Sequence, residues 1–356
     1  MASAKVAVFL GDSGMVLGSL HGMSMRVAVI GAGSWGTTVA SIAALNAPTV
    51  LWCRRPELAD EINRDHRNSG YLRGFELPRS LRATASLDDA VDDADVIVMG
   101  VPSHGYRDIL AAASDHVRAW VPVVSLTKGL EADSLARMSQ VTSEVLPGHP
   151  VAVLTGPNLA KEVMAGHPAA TVIATNDASI GSELQRIFVT PRLRVYTNPD
   201  VVGCEIAGVV KNVLAIAAGM AEGMGFGDNT KATLMTRGLA ELSRFGVALG
   251  GNPVTFTGLA GMGDLIATCS SAQSRNHMVG VALGQGRAIG DIVNEMHMVA
   301  EGVKSSPAVV DLARSVGIEM PISEQVVAVC HGGRSAREAV SLLMGRQQRS
   351  EVDGRR

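Results

Sequence analysis

Short apolar runs alternate with helical patterns along the first half of the chain. The runs are rich in β-branched residues and cover residues 26–30, 49–53, 95–101, 122–126, 151–154, 171–174 and 193–197. Apolar residues at helical spacing follow the first run, and Pro56 opens a helix after the second. Such alternation is typical of a parallel sheet covered by helices. It predicts an α/β domain with a doubly wound sheet over residues 23–200.

The pattern changes after residue 200, where helices and turns follow one another to the end. The helices are predicted at 202–222, 228–249, 274–284, 302–317, 323–331 and 335–344. They form an all-α C-terminal domain over residues 201–345. The stretch Val201–Met220 has the length of a membrane span. Glu205 and Lys211 lie within it, and charges at the centre of a span are costly, so we expect a buried helix and no transmembrane segment.

Smaller signals complete the domain map. Residues 66–80 favour a loop, and Ser86-Leu-Asp-Asp89 resembles a capping box with Asp89 in place of the usual Glu. Residues 1–22 contain a short apolar run that Gly11 interrupts, which does not match a signal peptide. We expect this N-terminal extension to be disordered and residues 346–356 to be a polar tail.

Composition excludes several classes of function. The length of 356 residues predicts about two domains, and 47% hydrophobic residues provide ample core. A net charge of −3 does not favour binding to nucleic acid or to an anionic membrane. The four cysteines are scattered without a C-x-x-C pair, and the histidines show no metal-ligand spacing. We therefore expect a reduced, cytoplasmic protein without a metal site.

A glycine motif directly follows the first apolar run. Glycines stand at 31, 33 and 36, and a helical pattern begins at once. Gly31 permits a tight turn, Gly33 allows the backbone to approach a pyrophosphate, and Gly36 allows close packing of helix and strand. The positive end of the following helix favours the phosphate charge. The motif predicts a Rossmann-type dinucleotide site.

Arg54 follows the second strand, about twenty residues beyond the glycines. NAD-specific folds usually carry an acidic residue here, whereas arginine accommodates the 2′-phosphate of NADP. Arg54 therefore indicates that NADPH is accepted. Because Arg55 is adjacent, a solvated surface arginine remains an alternative.

Two further segments follow predicted strands and so lie at the ligand-binding edge of the sheet. Lys128 comes just after the strand at 122–126, and Gly156-Pro157 follows the strand at 151–154 and starts a helix. The second segment is a candidate anion site. A surface lysine and ordinary helix capping are the respective alternatives.

Lys211 lies in the middle of the apolar helix 202–222. A buried ammonium needs a partner, or it loses its proton more readily than a solvated lysine. A lysine with a lowered pKa beside a nicotinamide can exchange a proton with a carbinol/ketone pair. Alternatively, the side chain extends so that its head reaches water.

Further polar groups lie later in the chain. Asp264 and Thr268 are four residues apart and share a face if that stretch is helical. Ser274-Arg-Asn-His277 offers hydroxyl, guanidinium and amide donors for a phosphate, with Arg275 able to bind it bidentately. Ser274 could instead cap the next helix. For Glu301, too, the sequence leaves both a functional and a purely structural role open.

Together these segments resemble the bacterial-type NAD(P)-dependent glycerol-3-phosphate dehydrogenases from about Met25 to Arg346. The motifs that carry the resemblance are Gly31-Ala-Gly-Ser-Trp-Gly-Thr37, Leu51-Trp-Cys-Arg54, Val101-Pro-Ser-His104, Thr127-Lys-Gly-Leu-Glu131, Thr155-Gly-Pro-Asn-Leu-Ala-Lys-Glu162, Val210-Lys-Asn-Val213, Gly261-Met-Gly-Asp-Leu265 and Gln273-Ser-Arg-Asn276. Their number and order make the resemblance specific. The family usually has Ser or Thr where this chain has Asn158.

The resemblance implies a role for each residue of these motifs. Lys211 would be the general acid/base, and Lys128 would contact both cofactor and substrate. Asp264 and Thr268 would hold substrate or orient Lys211. The implied substrate contacts also include Gly156, Asn158, Ser274, Arg275 and Asn276. The implied cofactor contacts are Gly31, Gly33, Ser34, Trp35, Gly36, Arg54, Lys128, Ala160, Arg275, Val299 and Glu301.

The resemblance also implies an activity. The expected reaction is reversible hydride transfer between NADPH or NADH and dihydroxyacetone phosphate, giving sn-glycerol 3-phosphate for glycerophospholipid synthesis. We expect a homodimer that binds this small phosphorylated C3 substrate. Two alternatives remain: a related β-hydroxyacid dehydrogenase or ketoreductase, and a non-enzymatic dinucleotide-binding regulator.

Overall fold

The computed structural model describes residues 25–296 and 300–347. The predicted disordered extension at 1–22 and most of the predicted polar tail lie outside these residues.

The first part of the chain folds around one eight-stranded sheet with the order β3-β2-β1-β4-β5-β6-β7-β8. Its strands are β1 Val27–Ile30, β2 Thr49–Trp52, β3 Arg82–Thr84, β4 Val96–Met99, β5 Val123–Ser125, β6 Val151–Thr155, β7 Ala169–Ala174 and β8 Leu193–Asn198. Neighbouring strands pair in parallel except β6 and β7, which are antiparallel. The first six strands follow the order of a Rossmann sheet. This confirms the predicted fold class.

All seven predicted strands are present, and β3 is the strand that the pattern missed. It has three residues, of which Arg82 is exposed. So short an edge strand carries too few apolar positions to show a period.

The helices of this domain cover both faces of the sheet. They are α1 Ser34–Ala43, α2 Pro56–Asp65, α3 Leu87–Val91, α4 Tyr106–Ala113, α5 Met138–Val145, α6 Ala160–Met164 and α7 Ala178–Phe188, with short 3₁₀ turns at Ser103–Gly105 and Ser114–His116. Ser86 caps α3, since its hydroxyl accepts the Asp89 N–H. The reciprocal half of the predicted capping box is wrong, because the Ser86 N–H donates to Thr84 Oγ.

From residue 201 the described elements are helical. They are α8 Val201–Gly223, α9 Asp228–Ala248, α10 Pro253–Thr257, a π-helical turn at Leu259–Gly263, α11 Asp264–Ser270, α12 Arg275–Gly284, α13 Ile289–Glu295, α14 Glu301–Ser315, α15 Pro321–His331 and α16 Ala336–Met344. The six predicted helices are present. The pattern did not predict α10 and α13, and it left a helix at α11 conditional, because all three are too short for a helical period to stand out.

Helix α8 is the axis of the helical domain. It is long and apolar enough to cross a membrane, but 89% of its most apolar window is buried inside the protein. That burial is typical of a core helix, as the sequence predicted. The helix packs against α9, α11, α12, α14 and α15.

The crossing of α8 and α12 depends on glycines. A Cβ at Gly219 would lie 2.1 Å from the carbonyl oxygen of His277, and a Cβ at Gly280 would lie 2.1 Å from that of Ile216. Gly223 and Gly284 make similar approaches one turn further along. The two backbones therefore touch without intervening side chains, which fixes the depth at which α8 sits.

We predict that Gly280→Ala destabilises the protein by about 1–3 kcal/mol, the usual range for overpacking a core contact. The matched control is Gly290→Ala on α13, where an added Cβ meets no atom within 4 Å. That control should be neutral or stabilising by up to about 1 kcal/mol, because alanine favours helix. Urea unfolding midpoints measure both effects, and equal midpoints would contradict the close crossing.

Candidate active site

The glycine motif lies where the strand order reverses, between β1 and β4. Gly31 follows β1 with φ of +114°, a conformation that L side chains rarely adopt. A Cβ there would lie 2.6 Å from the carbonyl oxygen of Gly100, which follows β4. A Cβ at Gly36 would lie 2.0 Å from the carbonyl oxygen of Gly31, so α1 packs directly on the turn. Larger residues are excluded at both positions.

Gly33 provides the open side of the same turn. A Cβ at Gly33 would meet no atom within 4 Å, and Gly33 caps α1 without a side-chain hydrogen bond. The first turn of α1 also carries no acidic residue. A helix N-terminus that is uncapped and faces open space is a ready anion site. The residues present therefore fit the pyrophosphate of a dinucleotide.

Ser34 and Trp35 begin α1 beside this opening. The Ser34 hydroxyl donates to the carbonyl oxygen of Tyr71 at 3.0 Å, which ties the 66–80 loop to the glycine turn. The Trp35 ring packs on the first domain's core. Its Nε1 is buried and has no hydrogen-bond partner among the described residues.

Arg54 is exposed just beyond β2, and Ala160 is the first residue of α6. Exposure leaves both the phosphate-binding and the surface interpretation of Arg54 open. Val299 lies outside the described residues.

Two lysines from different domains converge on one carboxylate. Lys211 of α8 donates to Asp264 Oδ1 and to Thr268 Oγ1, the latter at 2.7 Å. Lys128, after β5, donates to Asp264 Oδ2 at 2.6 Å. Asp264 is 1% exposed and Lys211 is 6% exposed. The alternative in which the Lys211 head reaches water is therefore wrong.

Helix α11 explains the pairing of Asp264 with Thr268. It begins at Asp264, so the two residues share one face, as the spacing predicted. The Thr268 hydroxyl also donates to the Asp264 carbonyl oxygen at 2.7 Å. Thr268 is thereby held in place to accept a hydrogen bond from Lys211.

The surroundings of Lys211 make its ammonium easy to deprotonate. Burial lowers the pKa of Lys211 to about 7, with the nearby Lys128 charge acting in the same direction and Asp264 opposing both. The Cys269 thiol also faces Lys211, but burial raises its pKa to about 12, so it stays neutral. A lysine that titrates near neutral pH is suited to proton transfer.

The turn after β6 also contacts Lys128. The Gly156 carbonyl oxygen accepts from Lys128 Nζ at 3.2 Å, and Gly156 itself has φ of +129°. Asn158 Nδ2 donates to Thr171 Oγ1 at 3.0 Å. Asn158 Oδ1 and Thr155 Oγ1 are buried without a hydrogen-bond partner in the part of the chain that the structure describes.

The predicted phosphate-binding segment begins α12. Ser274 caps that helix, since its hydroxyl accepts the His277 N–H at 3.3 Å, which confirms the capping alternative. Arg275 is exposed at the first helical position. Asn276 is buried and uses both polar atoms internally: Nδ2 donates to Asn212 Oδ1, and Oδ1 accepts the Gly302 N–H at 2.9 Å.

Asn212 follows Lys211 in α8 and belongs to a motif of the sequence, but it had no predicted role. Its Nδ2 donates to the Lys128 carbonyl oxygen at 3.2 Å, and its Oδ1 accepts from Asn276. It thus joins the Lys128 segment to α12. A second polar residue directly after Lys211 in an apolar helix was the available signal.

Glu301 lies at the start of α14 and accepts from Ser103 Oγ at 2.9 Å. A Cβ at Gly129 would lie 2.6 Å from Ser103 Oγ and 3.0 Å from Glu301 Oε2. This contact joins the two domains beside Gly129, the residue after Lys128. Within residues 25–296 and 300–347, no three His, Cys, Asp or Glu side chains group so as to hold a metal ion.

Two family models match the chain. The model described as NAD-dependent glycerol-3-phosphate dehydrogenase N-terminus matches residues 26–181. The corresponding C-terminus model matches residues 200–341.

Relatives and a solved structure agree with these matches. Glycerol-3-phosphate dehydrogenase (NAD(P)+) 2 of Sphingopyxis alaskensis is 56% identical over 90% of this chain and 97% of its own length. The Mycobacterium avium glycerol-3-phosphate dehydrogenase (NAD(P)+) is 50% identical over 92% of this chain and 97% of its own. The crystal structure of glycerol-3-phosphate dehydrogenase from Coxiella burnetii superposes with a TM-score of 0.87 at 35% identity, covering 91% of this chain and 99% of that one. The chain belongs to the NAD-dependent glycerol-3-phosphate dehydrogenase family.

Proposed function

We propose that the cleft between the two domains reduces dihydroxyacetone phosphate to sn-glycerol 3-phosphate with NADPH or NADH, and catalyses the reverse reaction. The observation that carries this proposal is the buried Lys211, whose pKa of about 7 suits proton exchange with a carbonyl oxygen. The bound nicotinamide supplies the hydride to C2 of the ketone. Family membership supports both the substrate and the cofactor.

In the direction of reduction, Lys211 Nζ donates a proton to the C2 oxygen as the negative charge develops there. Asp264 and Thr268 hold the ammonium so that it faces the substrate. Lys128 adds a second positive charge beside the same oxygen, which stabilises a developing alkoxide. In the direction of oxidation, the neutral amine of Lys211 accepts the proton from the C2 hydroxyl.

The far end of the substrate is held away from the reacting carbon. Arg275 binds the phosphate at the N-terminus of α12, with Ser274 and Asn276 shaping that end of the cleft. Gly156 and Asn158 line the opposite side. Phosphate binding far from C2 can orient the carbonyl group, since remote binding energy positions the reacting atoms.

The dinucleotide is held by the glycine turn and its surroundings. Gly31, Gly33, Ser34, Trp35 and Gly36 would hold the pyrophosphate region. Arg54, Ala160, Val299 and Glu301 are the further residues that would hold the dinucleotide. Arg54 would bind the 2′-phosphate of NADPH.

We also propose a cytoplasmic homodimer whose product enters glycerophospholipid synthesis. All four cysteines are free and buried, which suits a reducing compartment. Two-fold dimers are the commonest soluble oligomers. Light scattering coupled to size-exclusion chromatography measures the assembly.

A spectrophotometric assay tests the reaction. The wild-type chain should oxidise NADPH when dihydroxyacetone phosphate is added, but not with the unphosphorylated ketone. Equal rates with and without the phosphate would favour a β-hydroxyacid dehydrogenase or ketoreductase. Absence of oxidation with any ketone, together with NADPH binding, would favour a non-enzymatic regulator.

We predict that Lys211→Met lowers kcat by about 10²–10⁴, the usual contribution of general acid catalysis, while NADPH still binds. The exposed Lys304→Met provides a matched control and should keep wild-type turnover. Steady-state kinetics and NADPH fluorescence titration measure the two effects. Normal turnover in Lys211→Met would show that Lys211 is not the general acid.

The pH dependence follows from the lowered pKa of Lys211. Reduction requires the ammonium, so kcat for reduction should be maximal below pH of about 7 and fall above it. Oxidation requires the neutral amine, so its kcat should rise through the same range. If both directions share one sign of pH dependence near neutrality, Lys211 is not the titrating group.

We predict that Arg54→Ala weakens NADPH binding roughly 10- to 100-fold, as expected for a lost charged hydrogen bond, with little change for NADH. The neighbouring Arg55→Ala serves as control, since Arg55 is similarly exposed. Titration of each variant with both nucleotides measures the difference. Equal weakening of NADH and NADPH would contradict a 2′-phosphate contact.

A further inference from the structure

The segment from Lys128 to Arg137, here called the lysine loop, begins at the active-site lysine and ends at the N-cap of α5. An isolated bridge pairs Leu130 with Arg137, and the Glu131 N–H donates to the Ala136 carbonyl oxygen at 3.0 Å. The loop is therefore a closed hairpin. Because Leu130 pairs with Arg137, a displacement of the Arg137 end also displaces Leu130, which is two residues from Lys128.

The Arg137 end of the loop is attached to α8. Glu205, 5% exposed and six residues before Lys211, accepts hydrogen bonds from Arg137 Nη1 at 2.6 Å and from the Ser139 N–H at 2.8 Å. It also accepts from the Ser139 hydroxyl. The carboxylate thus has both oxygens satisfied by the loop end and the first turn of α5. The active site does not use this buried charge directly.

The Lys128 end of the loop is attached to the same helix. Asn212 of α8 donates to the Lys128 carbonyl oxygen at 3.2 Å. Leu130 is 3% exposed and belongs to the apolar core of the helical domain rather than to either core of the sheet domain. Both ends of the loop consequently rest on the helix that carries Lys211.

The turn of the loop contains a residue with a strained backbone conformation. Leu135 has φ of +58°, a left-handed conformation that costs a non-glycine residue about 1–2 kcal/mol. Its side chain packs against the core of the helical domain. Such strain persists where surrounding contacts hold a segment in place.

The sheet domain holds the loop by a more exposed contact. Arg107 of α4 pairs with Glu131 through two hydrogen bonds of 2.8 Å, and the Arg107 side chain is 36% exposed. Losing an exposed ion pair costs about 1 kcal/mol or less, whereas removing one partner of a buried pair costs about 3–5 kcal/mol because the other charge is left uncompensated. The loop is therefore more sensitive to loss of Glu205 than to loss of the Arg107 contact.

We propose that Glu205 is a positioning residue: through Arg137 and Ser139 it fixes the lysine loop to α8, so that Lys128 stays at Asp264 and moves with Lys211. The proposal rests on the proposed function for its catalytic consequence. The contact is remote from the substrate, and a misplacement of about 1 Å by such a remote change can lower turnover up to about 100-fold.

The test compares Glu205→Gln with Glu241→Gln in the full chain. Glu241 is a matched control because it is a buried carboxylate of the helical domain, 1% exposed, that accepts from Ile322 N, Ser323 N and Ser323 Oγ. Both variants should lose stability. Only Glu205→Gln should lower kcat, by about 10- to 100-fold.

Two kinetic readouts separate positioning from general destabilisation. In Glu205→Gln the pH midpoint for reduction should shift upward, because the Lys128 charge no longer opposes protonation of Lys211. In a Lys128→Met background, Glu205→Gln should change kcat less than about twofold, since the two residues act through one path. Effects that multiply in the double variant would overturn the proposal, as would an unchanged pH midpoint.

One further measurement tests the attachment of the lysine loop without depending on catalytic activity. Hydrogen–deuterium exchange of peptides covering residues 128–137 should increase in Glu205→Gln and not in Glu241→Gln. If the wild-type chain fails to reduce dihydroxyacetone phosphate, the proposed function fails, and exchange alone decides whether Glu205 holds the loop. Unchanged exchange would overturn the inference even in an active enzyme.

If Glu205→Gln does not fold, Ser139→Ala replaces it. This variant removes the hydrogen bond that the Ser139 hydroxyl donates to Glu205 and the one that it accepts from Arg137, and leaves the ion pair between Glu205 and Arg137. It should produce the same changes in exchange and pH midpoint at smaller size. Wild-type behaviour in both measurements would overturn the proposal.

Discussion

The single carboxylate of Asp264 accepts hydrogen bonds from two lysine side chains, and the rest of the proposed site depends on that interaction. One oxygen accepts from Lys128 of the sheet domain and the other from Lys211 of the helical domain. Because the two lysines come from different domains, the carboxylate also joins these domains. Removing one partner of such a buried pair typically costs about 3–5 kcal/mol. Because burial and the Lys128 charge together outweigh the Asp264 carboxylate, the pKa of Lys211 is lowered to about 7.

Helix α8 supplies the frame for this arrangement. Three polar side chains, Glu205, Lys211 and Asn212, are buried in its otherwise apolar length. Each bonds outside the helix: Glu205 to Arg137 and Ser139, Lys211 to Asp264 and Thr268, and Asn212 to Lys128 and Asn276. The glycine crossing with α12 fixes the depth of α8. Glu205 and Asn212 thus contact the sheet domain directly, whereas Lys211 is linked to it through Asp264 and Lys128.

The glycine turn and the lysine cluster are built by different physical means. The turn depends on backbone geometry, because Gly31 and Gly36 permit close approaches that a Cβ would block, while Gly33 leaves the N-terminus of α1 open. The lysine cluster uses burial and charge, and its two lysines are 136 and 53 positions from the shared Asp264. Catalysis as proposed needs both, since the first presents a hydride donor and the second a proton.

The sequence by itself determined the order of elements, the glycine turn and Lys211 as an anomaly, because periodicity and local backbone needs are written over a few neighbouring residues. It did not show that Asp264 serves Lys128 as well as Lys211, or that the Asn276 side chain is hydrogen-bonded to Asn212 and Gly302. It also missed the short strand β3 and the role of Glu205. Those features were decided by the tertiary structure, because buried polar groups select partners by where the folded backbone brings them, and sequence spacing does not encode that distance.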